Sequence, residues 1–288
     1  MIKLLLLMFT LSCISNPKPD FDPTLIGGTP ADPKEFPASI YISAGSGRCT
    51  ASVVGPQVVL SAAHCMGQGA TITFTSGGNR YSAVCTHSRA YSGNSTADYA
   101  YCKTDKVVSG IKYEHVMIDK HPNMNVGSEI QLTGFGCVRP GGGGGNDGIY
   151  RIGKAKITRL PSGTDNDTIA ARQPAALCFG DSGGPAFFYE GNKRFQLSVN
   201  SRGNISDTSY LSSMFSAEGK RFTLAWLEAN PGMQICGVTP GTPNCRNEDE
   251  PKPEPKPGLP CKEAILAFDD AKKKVNQAYE GMLKCAQQ

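Results

Sequence analysis

The stretch Cys178-Phe179-Gly180-Asp181-Ser182-Gly183-Gly184-Pro185 places a serine among glycines, with an aspartate before it. Small neighbours let backbone N–H groups approach a reacting carbonyl, so Ser182 is a candidate nucleophile for acyl transfer; an ordinary glycine turn is the alternative. A serine hydroxyl attacks poorly unless an imidazole takes its proton and a carboxylate orients that imidazole. The chain has four histidines. His64, in Leu60-Ser61-Ala62-Ala63-His64-Cys65, follows the apolar runs Val53-Val54 and Val58-Val59-Leu60 and is pinned by Cys65, whereas His87, His115 and His121 lack such framing. Asp98, in Ala97-Asp98-Tyr99-Ala100-Tyr101-Cys102, opens a strand-like segment and is the candidate orienting acid.

Ser61-Ala62-Ala63-His64-Cys65, Asp98-Tyr99-Ala100 and Gly180-Asp181-Ser182-Gly183-Gly184-Pro185, preceded by Leu25-Ile26-Gly27-Gly28, resemble in that order the chymotrypsin/trypsin family of serine endopeptidases. The order His, Asp, Ser is part of the likeness, because the same triad on other folds arises in other orders. The resemblance implies catalysis by His64, Asp98 and Ser182, with the N–H groups of Gly180 and Ser182 as the oxyanion hole. It also implies a cleavage before Leu25, freeing an ammonium that pairs with buried Asp181 and orders the oxyanion loop. Thr24 stands where a trypsin-like activator would want Lys or Arg, so a different activating protease is implied.

Further expectations follow from the same resemblance. Cys49 with Cys65 matches the bridge that brackets the catalytic histidine, and position suggests Cys85 with Cys102 and Cys137 with Cys178. The specificity pocket should have Ala176, six residues before the serine, at its floor. With no aspartate there, a small or apolar side chain before the scissile bond fits better than Lys or Arg, and Leu177 and Phe179 add apolar surface. Asp207, in Asn204-Ile205-Ser206-Asp207-Thr208-Ser209-Tyr210, is the rival: as an opposite wall it would restore a basic preference. Val199-Asn200-Ser201-Arg202-Gly203 reads as the edge that pairs with extended substrate, so Ser201 and Gly203 flank the pocket. Arg202 stands where the family commonly has an aromatic residue, which favours an acidic neighbour or leaves a solvated arginine.

The elements that must position these residues are short and β-branched. Ala38-Ser39-Ile40-Tyr41-Ile42, Ala70-Thr71-Ile72-Thr73-Phe74 and Glu129-Ile130-Gln131-Leu132 are bounded by Gly, Pro or Ser and argue an all-β fold. Composition alone permits a sandwich; the resemblance implies two six-stranded antiparallel β-barrels and a C-terminal helix. Phe222-Thr223-Leu224-Ala225-Trp226-Leu227-Glu228 supplies that helix, expected to close the second barrel. Residues 141–145, all glycine, read as a flexible surface loop.

The chain ends frame this domain. Met1-Ile2-Lys3 and the apolar residues after it make residues 1–12 a secretory signal, too short to span a bilayer. Cys13 after Leu11-Ser12 resembles a bacterial lipoprotein cleavage site, so either Cys13 is lipidated and tethers the protein to a membrane, or a simple secretory cleavage falls a few residues later. Residues 13–24 form a tether or pro-segment, 25–246 the protease domain, 247–260 a Pro/Lys/Glu linker, and 261–288 an amphipathic helix with Ile265, Phe268, Val275, Tyr279 and Met282 on one face. That helix docks on its own protease domain or inhibits the cleft. The destination is secreted, cell-surface or periplasmic.

Eleven cysteines with a signal point to an oxidising compartment, and setting Cys13 aside leaves an even ten. Sequence leaves the pairing of Cys236, Cys245, Cys261 and Cys285 open. Without Cys-x-x-Cys or His-pair spacing no metal or cofactor is expected. A net charge of +4 with interspersed signs gives no nucleic-acid stripe, so the expected partners are protein or peptide substrates and an activating protease. The rival class is a non-catalytic surface-binding protein on the same fold.

Overall fold

The computed structural model describes residues 25–44, 47–162 and 166–247. The chain divides into two compact units, Met1–Asn247 and Glu248–Gln288. The signal, Cys13, the tether, the linker from 248 on and the helix with Cys261 and Cys285 lie outside the described residues.

The described residues are mostly strand. β1 is Thr29–Pro30, β2 Ser39–Ala44, β3 Gly47–Gly55, β4 Val58–Ser61, β5 Thr71–Ser76, β6 Asn79–His87 and β7 Ala100–Thr104. Then come β8 Glu129–Gly134, β9 Arg151–Arg159, β10 Thr168–Pro174, β11 Pro185–Glu190, β12 Lys193–Gly203 and β13 Thr208–Ser213, followed by helix α1, Ala217–Ala229. Strands β2-β3-β4-β7-β6-β5 form one six-stranded antiparallel barrel. The second runs β9-β10-β13-β12-β11-β8 and closes because β8 also pairs with β9; short β1 adds outside β9.

Alternation explains which faces are buried. In β5, Ile72 and Phe74 point inward while Thr71, Thr73 and Thr75 face water, the two-residue period of a strand with one wet side. Strand β3 departs from it: every residue from Cys49 to Gly55 is buried. Its second face meets the other barrel, where Ser52 Oγ donates to Gln196 Oε1 on β12 at 2.8 Å. This seam carries the candidate site.

Helix α1 begins at Ser216, whose Oγ accepts from the Gly219 N–H at 3.0 Å and satisfies one orphan donor of the first turn. It follows the second barrel in sequence but packs on the first. Phe222 stacks on Tyr101 at 5.5 Å and Trp226 lies 5.1 Å from the same ring, all within one core cluster with Val53 and Leu60. The expectation that this helix closes the second barrel is therefore corrected: its apolar stripe fits the aromatic surface of β7, while the second core is filled by its own Leu132, Ile157, Leu197 and Leu211.

Among the described residues, four disulfides join Cys49 to Cys65, Cys85 to Cys102, Cys137 to Cys178 and Cys236 to Cys245.

Candidate active site

Two barrels contribute to one cavity of about 410 Å³, lined by His64, Asp98 and Ser182 among others. His64 sits in a 3₁₀ turn, Ala63–Cys65, directly after β4, and Asp98 lies two residues before β7. Because β4 pairs with β7, the loop ends that carry them are neighbours. Ser182 arrives from the turn that leads into β11 of the other barrel.

Asp98 is 1% exposed and accepts three hydrogen bonds. His64 Nδ1 lies 2.6 Å from Oδ2, the His64 backbone N–H donates to Oδ1 at 2.9 Å, and Ser201 Oγ donates to Oδ2 at 2.6 Å. A carboxylate can only accept, so this contact assigns the proton to Nδ1 and leaves Nε2 as the basic nitrogen. Nε2 lies 3.9 Å from Cys65 Sγ, and among the described residues no hydrogen bond links it to Ser182 Oγ. Such contacts are often long without substrate and tighten when it binds. The Sγ atoms of Cys49 and Cys65 also approach the ring, but their disulfide leaves no thiolate to ligate a metal.

Backbone geometry beside the serine is set from both barrels. Thr50 on β3 donates its N–H to the Ser182 carbonyl and its Oγ1–H to the Gly180 carbonyl, each at 2.8 Å. The Phe179 carbonyl accepts from the Cys137 N–H, and the Asp181 carbonyl accepts from the Gly184 N–H. In a trans peptide the N–H points opposite to the C=O, so these two anchors aim the N–H groups of Gly180 and Ser182 away from the protein framework. Among the described residues neither donates a hydrogen bond. Gly180 holds φ at +102°, which a side chain would resist.

Residues 141–145 lie at the surface, with Gly141, Gly143 and Gly144 exposed, but part of the run is closely packed. Four of these glycines have positive φ, and Arg139 bridges Gly143 across the turn. A Cβ on Gly145 would lie 2.4 Å from the Gly136 carbonyl oxygen, and one on Gly142 would lie 2.8 Å from the Phe179 ring. Gly142 thus serves close packing against the serine loop and Gly145 against the Gly136–Cys137 backbone beside it, whereas a Cβ on Gly141 would meet nothing within 4 Å.

Asp181 is fully buried. Its Oδ1 accepts from the Gly136 N–H and its Oδ2 from the Cys178 N–H, both at 2.8 Å, in space left by the missing side chains of Gly134 and Gly136. Burial pushes its carboxyl up to about 7, against the lowering pull of those two bonds and of Arg151. Among the described residues no cation lies within ion-pairing distance of it. Leu25 is buried in the second core with φ at +52°, a region costly for a branched side chain. That torsion includes the Thr24 carbonyl carbon, so cutting the Thr24–Leu25 bond would abolish it.

The specificity residues are distributed differently from the expectation. Ser201 and Gly203 line the cavity together with Leu177, Phe179 and Ile205. Ala176 does not: it is bridged to Ile26 and buried in a small cluster against which Ile205 packs. Asp207 is absent from the lining too, its carboxylate accepting from Asn204 and Thr208 within its own loop, which holds it below the usual carboxylate range. The physical reason is the shortness of the turn between β12 and β13. Asn204 Oδ1 gathers the N–H groups of Ser206, Asp207 and Thr208, and the turn carries Ile205 inward with φ at +55°. Ile205, Tyr91 and Ser95 were missed by sequence reasoning; only the small number of residues between Gly203 and Thr208 hinted at the first.

Residues 25–214 match the family model described as Trypsin. The chain is also 27% identical over 184 residues to the serine protease SP24D of Anopheles gambiae, a match that covers 56% of this chain and 66% of that protein.

Proposed function

The chain belongs to the trypsin family, and on that premise we propose that it is an exported serine endopeptidase acting through an acyl-enzyme. Ser182 Oγ attacks the scissile carbonyl while His64 Nε2 takes its proton. Asp98, buried and bonded to Nδ1, stabilises the imidazolium that forms. The carbonyl oxygen, gaining charge, is received by the N–H groups of Gly180 and Ser182. His64 then returns the proton to the leaving amine, and a water activated by the same imidazole hydrolyses the ester.

The observation that carries this reading is the pairing of a carboxylate-oriented imidazole with two unpaired N–H groups at the serine loop, on one cavity. A mere glycine turn would not require both. Before the scissile bond the enzyme prefers small or apolar side chains, because Leu177, Phe179 and Ile205 line the second-barrel side of the cavity and its one carboxylate, Asp98, is bonded to His64 and Ser201. Leu25 becomes the amino terminus when a protease that accepts Thr24 cuts the precursor, and its ammonium then supplies the cation Asp181 lacks. Export rests on the leader at residues 1–12, with lipid on Cys13, and four disulfides suit an oxidising compartment.

The test is fluorophosphonate labelling of the exported protein, with Ser182→Ala and His64→Ala as controls and the intact mass reporting the amino terminus. Labelling on a chain beginning at Leu25, lost in both variants, is expected. Absence of labelling on that processed chain would leave a binding protein on a protease fold.

A further inference from the structure

Arg202 lies on β12 between Ser201, which bonds to Asp98, and Gly203. Its Nη1–H donates to the Ser95 carbonyl at 2.9 Å, and its guanidinium lies 5.9 Å from the Tyr210 ring centroid. Among the described residues no carboxylate comes within ion-pairing distance of it. The one acid in the cavity lining is Asp98, whose oxygens are committed to His64 and Ser201. Arg202 is thus the permanent cation of the lining, and it meets the Asp98 carboxylate only through Ser201 Oγ, to which its Nη1–H also donates at 3.4 Å.

Its direction also matters. The bond to Ser95 turns the guanidinium toward the first-barrel side of the cavity, beside Tyr91. Burial and then Asp98 raise the pKa of the Tyr91 hydroxyl above its ordinary value, and the Arg202 charge offsets part of that rise. The apolar lobe of Leu177, Phe179 and Ile205 lies on the second-barrel side. A substrate strand laid along Ser201–Gly203 puts successive side chains on opposite faces. If the residue before the scissile bond enters the apolar lobe, its amino-terminal neighbour faces Tyr91, Ser95 and Arg202.

We propose that Arg202 is a specificity-determining residue that selects Asp or Glu at the substrate position immediately amino-terminal to the residue before the scissile bond. This rests on the peptidase reading for where the substrate lies. A planar guanidinium with N–H groups left over from Ser95 suits a carboxylate better than an ammonium or an amide. The combined signature is an acidic residue followed by a small or apolar one at the cut.

The experiment uses the chain processed to begin at Leu25 and carrying Ser182→Ala, so that binding is read without turnover on the assembled site. Fluorescent peptides with Asp, Asn or Lys at that position and Ala before the cut are titrated by anisotropy. The Asp peptide should bind about 2- to 5-fold more tightly than the Asn peptide at low salt, the scale of a partly exposed charge contact. That margin should shrink as salt shortens the screening length. Adding Arg202→Ala should equalise Asp and Asn, and Arg202→Glu should invert the order in favour of Lys, a gain that simple misfolding could not give. Equal binding of Asp and Asn, survival of the Asp margin in Arg202→Ala, or binding of none of the peptides would overturn the proposal. Turnover by the unaltered serine is followed in parallel: discrimination by charge without hydrolysis would sink the peptidase reading alone.

Discussion

Gly145→Ala tests whether the glycine run is packing surface or slack. Gly145 has φ at +67°, where an alanine costs roughly 1–2 kcal/mol. Its new Cβ would lie 2.4 Å from the Gly136 oxygen and 2.8 Å from Cys137 Cα, both backbone atoms that no rotamer change can clear. Opening the first contact to 3.0 Å takes a shift of roughly 0.6 Å. The displaced peptide carries the Cys137 N–H, which bonds to the Phe179 carbonyl, and it adjoins the peptide whose Gly136 N–H bonds to Asp181 Oδ1. The strain therefore reaches the Gly180 N–H. Torsion and clash together should cost about 2–3 kcal/mol, or roughly 4–12 °C in Tm for a domain of this size. Gly143→Ala is the control: its φ is not positive, its nearest neighbours are Arg139 Cβ and Cδ at 3.6 and 3.7 Å, and it should change stability by less than about 0.5 kcal/mol. Calorimetry reads the first effect, and the rate of fluorophosphonate labelling, expected to fall about ten-fold as the oxyanion donors misalign, reads the second. Equal Tm values for the two variants would refute the packing argument.

Two other outcomes follow from the same geometry. Asp181 has its carboxyl raised to about 7 by burial, above its unfolded value of 3.8, so the folded chain holds that proton more tightly. Its contribution to stability is present in full below about pH 4 and is lost as pH climbs through about 7. In the uncleaved chain, Tm relative to Asp181→Asn should fall between about pH 4 and 7, and a difference curve flat over that range would show that the site already holds a cation. Ile205→Gly removes a branched side chain at φ +55° and uncovers Ala176, so the ratio of kcat/KM for peptides with Phe against Ala before the scissile bond should rise about ten-fold. A peptide pair whose ratio does not move would place the wall elsewhere.

Sequence alone carried much of this protein, wherever the governing physics is local. Alternation in Thr71–Ser76 requires a strand with one buried face, and the small residues around His64 and Ser182 mark tight turns whatever lies beyond them. Those motifs, in their order, also sufficed to single out the three residues that the structure sets on one cavity. Tertiary structure decided what depends on a partner distant in the chain. The apolar stripe of Ala217–Ala229 says that the helix buries a face; that it buries it on Tyr99 and Tyr101 depends on which barrel has room for Phe222 and Trp226. Consecutive glycines read as conformational freedom until Gly136 and Phe179 are seen to fill the space that side chains at Gly145 and Gly142 would occupy. Cysteine identity left Cys236 and Cys245 unassigned until the backbone brought them together. The pocket wall is the same case: counting back from the serine reaches Ala176, but a four-residue turn held by Asn204 puts Ile205 in front of it, because side-chain placement across a cleft is set by loop length in three dimensions.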